Sequence, residues 1–149
     1  MDLILNKGKF DTFLEVAEVL NGMFDIVPVL YGSLGLNRVI GEFVAVDDAD
    51  VLIPDVFINE RWNDTLELMN SLGFELKDLK EHEFIKNGNI VAFAVESDLP
   101  KLIGVKAESL NVSELGGAKF KELSAEQYLL LYQTLGDDYR RGKKGEADQ

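Results

Sequence analysis

Two aspartates one residue apart interrupt an apolar stretch, VAVDDADVLIP, in the first half of the chain. If that stretch is a strand, Asp48 and Asp50 point to the same face, because alternate side chains of a strand lie on one side. Two ionised carboxylates in an apolar setting are costly unless a partner or a metal ion offsets their charge. Mg²⁺, or Mn²⁺ in its place, favours carboxylate and phosphate oxygens. The pair therefore predicts a divalent-cation site.

A Gly-Ser pair lies upstream of these aspartates, directly after another apolar run. Gly32 can bring the backbone close to a ligand, and Ser33 offers a hydroxyl and backbone N–H groups to a phosphate if a helix begins there. Together the two features predict a place where a phosphate and a metal ion meet. Two simpler interpretations stay open: an ordinary strand-to-helix turn at Gly32-Ser33, and an acidic turn or solvated edge strand at the aspartates.

Hydrophobic periodicity and turn residues predict the elements that would position these groups. The predicted helices run from Phe10 to a stop at Asn21-Gly22, from Ser33 to about Ile40, over 59–72, and from the capping box Ser124–Gln127 to about 138. The predicted strands cover 26–31, 43–53 and the two arms of a hairpin around Asn87-Gly88, whereas 98–117 is predicted as connections with one short strand near 103–105. This order indicates an α+β (α/β-like) domain over residues 1–139, with a small mixed sheet and helices packed mainly on one side, followed by a charged tail over 140–149.

Several other side chains are better explained by packing than by chemistry. Trp62, Met69 and Leu72 recur at helical spacing, which predicts core contacts and not a base-stacking surface. His82 has no partner motif, so we expect no catalytic role for it. In the last predicted helix, a stripe that should pack on the sheet consists of Tyr128, Leu131, Tyr132 and Leu135.

Composition narrows the classes of function. The 149 residues carry a formal net charge of −12, which argues against general nucleic-acid binding and against binding to anionic membranes. Cysteine is absent, so disulfides, thiolate metal sites and a cysteine nucleophile are excluded. The sequence shows neither an apolar leader nor a run of about 20 apolar residues, and we expect a cytoplasmic protein without a membrane partner.

The segments LYGS (30–33) and DADVLI (48–53) resemble the paired motifs of the nucleotidyltransferase superfamily related to DNA polymerase β, in particular its minimal, single-domain members. A later segment, FKELSAEQYLLLYQTLGDDYRRGKK, is similar to the closing part of those members. The resemblance implies that Gly32 and Ser33 hold nucleotide phosphates and that Asp48 and Asp50 bind the metal for nucleotidyl transfer. The family usually supplies a third carboxylate from a later strand, and Glu96, at the end of IVAFAVE, is the candidate here.

Three hypotheses follow. The first is a metal-dependent enzyme that transfers a nucleoside monophosphate from a nucleoside triphosphate to an unidentified acceptor. The second is a catalytically inactive nucleotide-binding or regulatory module of the same fold, and the third is an unrelated α+β interaction protein. An acidic group beside Asp48 and Asp50 favours the enzyme, and its absence favours the module. The sequence leaves open the oligomeric state and a phosphate-binding role for the basic residues of the tail, Arg140, Arg141, Lys143 and Lys144.

Overall fold

The structure is a computed structural model that describes residues 2–40, 48–131 and 133. The tail 140–149 and the first part of the predicted strand 43–53 lie outside the described residues. The elements in chain order are α1 (Asp2–Phe24), β1 (Val29–Tyr31), α2 (Ser33–Ile40), β2 (Asp48–Ile53), α3 (Val56–Asn59), α4 (Trp62–Ser71), β3 (Glu75–Asp78), β4 (Glu83–Lys86), β5 (Asn89–Val95), α5 (Asp98–Ile103), a 3₁₀ turn (Ala107–Ser109), β6 (Asn111–Leu115) and β7 (Ala118–Glu122). A last helix, α6, begins at residue 125 and is described over 125–131 and at 133.

The described strands form one seven-stranded sheet in the order β3-β4-β5-β2-β1-β7-β6. β2 pairs in parallel with β5, and β1 pairs in parallel with β7, whereas the remaining neighbours are antiparallel. The prediction of an α+β domain with a mixed sheet is therefore confirmed. The two strands that carry the candidate motifs, β1 and β2, lie side by side near the middle of this sheet.

The two faces of the sheet are covered unequally, as predicted. The helices α1, α3 and α4 pack against one face of the sheet and form the larger core there, which includes Phe13, Met69, Val51 and Phe93. The opposite face carries a smaller core, in which Leu99 of α5 and Tyr128 and Leu131 of α6 contact Val29 and Leu52. The described part of the α6 stripe is thus buried, and Tyr132 and Leu135 lie outside the residues whose side chains are described.

The first helix extends beyond its predicted stop at Asn21-Gly22 and ends at Phe24. The Asn21 amide donates to the carbonyls of Ile26 and Lys119, and its oxygen accepts from the Lys119 backbone N–H. The residue therefore joins the helix to the neighbouring hairpin. The chain leaves the helix at Asp25, which adopts a left-handed φ of 55°.

The segment 98–117 is more regular than predicted. Ile103 ends α5, and Gly104 follows in the left-handed conformation, so the predicted short strand near 103–105 is wrong. The edge strands β3 and β6 were not predicted, because their side chains are mostly exposed and their sequences lack an apolar alternation. The predicted hairpin is confirmed: Asn87 and Gly88 both take positive φ between paired Lys86 and Asn89.

The helix predicted over 59–72 corresponds to α4, which begins at Trp62, and the short helix α3 that precedes it was not predicted. Met69 is fully buried and Trp62 and Leu72 pack against the same core, which confirms the predicted structural role of this stripe. Across the described residues, none of the helices combines the length and apolar character that a membrane crossing requires.

Candidate functional site

The sheet register brings the Gly-Ser turn and the aspartate strand together. Tyr31, the last residue of β1, pairs with Asp50 of the antiparallel strand β2. Gly32 follows with a φ of +83°, and a β-carbon built on it would lie 2.5 Å from Oδ2 of Asp50. The backbone of the turn therefore lies directly against the Asp50 carboxylate, in a place that leaves no room for a side chain.

Ser33 begins α2, immediately after this contact. The first turn of the helix closes through the Leu36 backbone N–H, which donates to the Gly32 carbonyl at 3.1 Å. Helix N-termini direct unpaired N–H groups outward and favour anions. The N-terminus of α2 thus begins one residue after the glycine that lies against Asp50, whereas neither Gly32 nor Ser33 is among the described residues that line the cavity holding Asp50.

Asp48 and Asp50 line one cavity of about 350 Å³ on this side of the molecule. Both side chains are partly buried, and Ala49 between them is buried in the opposite face, as the alternation of a strand dictates. Around the two aspartates, the cavity wall is formed by Tyr31, Ile58, Lys80, Glu81, His82, Glu83, Ala92, Phe93, Ala94, Val95 and Asp98.

The cavity is strongly acidic. Its described lining contains five carboxylates, from Asp48, Asp50, Glu81, Glu83 and Asp98, against the single ammonium group of Lys80. A polyphosphate entering such a cavity meets repulsion unless a cation accompanies it. The described residues contain no group of three or more histidine, aspartate or glutamate side chains arranged to hold a metal ion. Asp48 and Asp50 are the two carboxylates that could hold a divalent cation here, and Mg²⁺ commonly combines one or two carboxylates with phosphate or water oxygens.

One row of residues crosses the sheet at the level of Asp50. Tyr31 pairs with Asp50, Asp50 with Ala92, and Ala92 with Glu83, so four side chains on four adjacent strands point to one face. The neighbour of Asp50 on β5 is thus an alanine. A carboxylate first occurs one strand further out, at Glu83, where Lys77 lies 3.5 Å from it.

Glu96, the predicted third carboxylate, is not brought to this row. It follows the end of β5, and its backbone N–H donates to the Ile53 carbonyl at the far end of β2. It lies four positions after Ala92, which is roughly 13 Å along a strand. Burial raises the pKa of the Glu96 carboxyl, while Lys121 opposes that shift.

Asp98, two residues after Glu96, does line the cavity. It is the first residue of α5, which returns across the face that carries the aspartates. The sequence contained a signal for it, because a serine followed by an acidic residue, with a proline in the first turn, favours a helix start. Asp98 was missed because the segment after residue 97 was predicted as irregular.

Tyr31 places a phenol among these acids. Burial raises its pKa far above the ordinary value, and the negative charges of Asp50, Asp98 and Asp48 raise it further. The hydroxyl is therefore protonated throughout the physiological range and is a hydrogen-bond donor at this wall. His82, which we expected to have no catalytic role, also lines the cavity, with a left-handed φ of 56° and its ring against Trp62.

A relative of this chain is similar to it in sequence over most of both proteins. The uncharacterised protein YnaI of Bacillus subtilis (strain 168) is 38% identical over 141 residues, which are 94% of this chain and 90% of YnaI. No protein-family model matches the chain.

Two solved structures share the fold. One is TM1012 of Thermotoga maritima, provisionally described as a nucleotidyltransferase, with a TM-score of 0.55 and 17% identity over 94% of this chain and 93% of that one. The other is the antibiotic-resistance factor ANT(2'')-Ia, with a TM-score of 0.50 and 13% identity over 99% of this chain and 97% of that one. At these identities the likeness concerns the fold alone. The two structures show that the chain has the fold of the minimal nucleotidyltransferases, as its two motifs predicted. Because of its 38% identity to YnaI over most of both chains, the protein belongs to the same family as YnaI of Bacillus subtilis.

Proposed function

We propose that this protein is a metal-dependent nucleotidyltransferase that transfers a nucleoside monophosphate from a nucleoside triphosphate to an acceptor hydroxyl or amine. The observation that carries the proposal is the contact between the Gly32 backbone and the Asp50 carboxylate at the edge of an acidic cavity. Phosphate-binding and cation-binding groups are useful to such a reaction only when they are neighbours, and the register of β1 and β2 makes Gly32 and Asp50 neighbours, which supports the proposal.

The donor set fits Mg²⁺ or Mn²⁺, because Asp48 and Asp50 offer hard oxygen ligands from one face of one strand. When bound, the metal supplies positive charge to the phosphate oxygens and to the leaving group. The fit also agrees with the excess of carboxylates, which would otherwise repel the triphosphate.

The remaining roles belong to residues of the chain. The Ser33 hydroxyl and the start of α2 would orient the phosphates, and Lys80, which lines the cavity, would offset part of their charge. The acceptor oxygen or nitrogen forms a bond to the α-phosphorus as the bond from that phosphorus to its bridging oxygen breaks, and pyrophosphate leaves. The proton of the acceptor passes to a cavity carboxylate, for which Asp98 is the candidate because Glu96 lies too far along the sheet.

The alternative is a nucleotide-binding or regulatory module that has lost turnover. A specific observation favours it: the position beside Asp50 on β5 is Ala92, where the resemblance leads one to expect a third carboxylate. Glu83 and Asp98 are other acids of the same cavity. The enzyme requires that one of them replaces the missing third carboxylate, and the inactive module does not.

The test begins with thermal unfolding in the presence of each of the four ribonucleoside triphosphates, with Mg²⁺ or with EDTA. A ligand at a hundredfold excess over its Kd should stabilise the wild type by about 2.7 kcal/mol, and Asp50→Asn should lose most of that gain. Pyrophosphate release with a panel of hydroxyl and amine acceptors then distinguishes the enzyme from the module. Wild-type protein that responds to none of the nucleotides would overturn both.

A further inference from the structure

The turn at Gly32-Ser33 is held from behind by a residue of the last helix. Tyr128 of α6 is buried, with 1% of its surface exposed, and its hydroxyl donates to the Leu30 carbonyl at 2.6 Å. Leu30 lies two residues before Gly32. The hydrogen bond therefore fixes the end of β1 at the point where the chain enters the turn.

The same phenol ring also contacts the other side of the turn. A β-carbon built on Gly35, in the first turn of α2, would lie 2.3 Å from the Tyr128 hydroxyl oxygen and 2.5 Å from two of its ring carbons. Since a real β-carbon does not come this close to a non-bonded atom, any residue other than glycine at position 35 would require the ring or the helix to shift. One side chain thus lies against both β1 and α2, with the turn between them.

Tyr128 is itself held in place by local structure. The Ser124 hydroxyl accepts from the Gln127 backbone N–H, and the Gln127 side chain accepts from the Ser124 backbone N–H, which is a complete capping box. The helix follows β7, whose parallel pairing with β1 places Glu122 beside Leu30. The position of the ring is therefore fixed relative to β1 by both the cap and the sheet.

We infer that Tyr128 is a positioning residue for the phosphate-binding turn, acting through the Leu30 carbonyl and the close approach of Gly35. The expected effect of Tyr128 on nucleotide binding rests on the proposed function, because a turn that is held less firmly would bind phosphate less well. The tolerance is small, since Gly32 already lies against the Asp50 carboxylate. The hydroxyl stays a donor at every physiological pH, because burial raises the pKa of Tyr128 well above its ordinary value.

The test uses Tyr128→Phe, which keeps the ring and removes the hydrogen bond. Its matched control is Thr65→Val. Thr65 lies in α4, which packs on the other face of the sheet, and it is also fully buried. Its hydroxyl donates to the Phe57 carbonyl at 2.8 Å. Both variants lose one buried hydroxyl–carbonyl bond. The ligand is whichever ribonucleoside triphosphate binds the wild type in the presence of Mg²⁺. Only Tyr128→Phe should raise the Kd of that ligand, by about fivefold to tenfold at 25 °C.

A second readout needs no nucleotide. Amide hydrogen exchange at Leu36, whose N–H donates to the Gly32 carbonyl, should become about tenfold faster in Tyr128→Phe, as the loss of one hydrogen bond predicts, while the remote strands β4 and β5 keep wild-type rates. Exchange that accelerates evenly over the chain, or equally in Thr65→Val, would show that Tyr128 contributes only to global stability and would overturn the inference. If the wild type binds none of the nucleotides, the proposed function fails while exchange still decides whether Tyr128 holds the turn.

Gly35→Ala tests the other contact, and its effect in the wild-type background can be measured even if the Tyr128 variants do not fold; unchanged nucleotide binding there would count against the inference. Gly35→Ala should raise the nucleotide Kd in the wild-type background. In a Tyr128→Leu background the same substitution should raise the Kd clearly less, because leucine lacks the atoms that the new β-carbon would meet. Fully additive effects on the Kd would show that Gly35 does not act through Tyr128.

Discussion

A β-carbon on Gly32 would overlap Oδ2 of Asp50, at a separation of 2.5 Å. The two residues are neighbours because β1 and β2 are antiparallel and Tyr31 pairs with Asp50. In sequence they are separated by a helix and by residues 41–47. The contact explains why a glycine stands at the turn: its positive φ and its missing side chain are both required.

The first prediction concerns Gly32→Ala. The substitution adds a strained φ and a clash with the Asp50 carboxylate, so we expect it to lower the free energy of unfolding by about 3 kcal/mol. Chemical denaturation measures this. Gly88→Ala is the matched control, because Gly88 has a similar φ of +79° but nothing within 4 Å of the new β-carbon, and it should cost about 1 kcal/mol. Equal costs for the two variants would mean that the Asp50 contact is absent in solution.

The second prediction concerns the alanine beside Asp50. Ala92→Asp would add a third carboxylate to the row, so without metal we expect it to lower the stability by about 1–3 kcal/mol through repulsion and desolvation. Mg²⁺ at millimolar concentration should restore part of that loss and should stabilise the variant more than the wild type. Thermal unfolding in EDTA and in Mg²⁺ decides the matter, and a variant indifferent to Mg²⁺ would argue against a cation site at this row.

The third prediction concerns Arg38, which lies on α2 after the turn at Gly32 and Ser33. Its guanidinium lies 2.7 Å from Glu122 and stacks on Phe10 and Phe120, at 4.9 and 5.6 Å from their ring centres. Lysine cannot reproduce a planar group that pairs and stacks at once, so Arg38→Lys should cost about 1 kcal/mol of stability.

Arg61→Lys is the control for this pair. Arg61 also lies 2.7 Å from a carboxylate, that of Asp64, and also stacks on two phenylalanine rings, but its ion pair is more exposed. Exposed pairs contribute little, and we expect at most about 0.5 kcal/mol. A larger loss at Arg61 than at Arg38 would contradict the argument from burial.

The fourth prediction concerns pH and Glu96. Burial raises the pKa of this carboxyl above its ordinary value of 4.5, so the folded protein holds the proton to higher pH than the unfolded chain does. The favourable contribution is fully present below the unfolded pKa and is lost as the pH rises through the folded pKa. Glu96→Gln should therefore be more stable than wild type at neutral pH, with the difference shrinking below about pH 4.5. Urea denaturation across this range would contradict the expectation if the difference grew on acidification.

The local elements followed from the sequence, because their signals are local. The alternation around Asp48 and Asp50, the Asn87-Gly88 turn and the capping box at Ser124 each depend on residues within a few positions of one another. The two motifs also predicted the fold, since their order and chemistry match a known architecture. The exposed edge strands β3 and β6 escaped prediction because nothing in their own sequences distinguishes them from loops.

Which acids share the cavity was decided by the tertiary structure. Glu96 and Asp98 differ by two positions, yet the chain reverses between them, so that Asp98 returns over the aspartate face while Glu96 stays beyond the end of β2. Glu83 reaches the same row only because the β4–β5 register places it opposite Ala92. Tyr128 meets Leu30 across 98 residues of sequence. Such long-range contacts depend on strand register and helix docking, which arise from the packing of the whole core and are not encoded in any short segment.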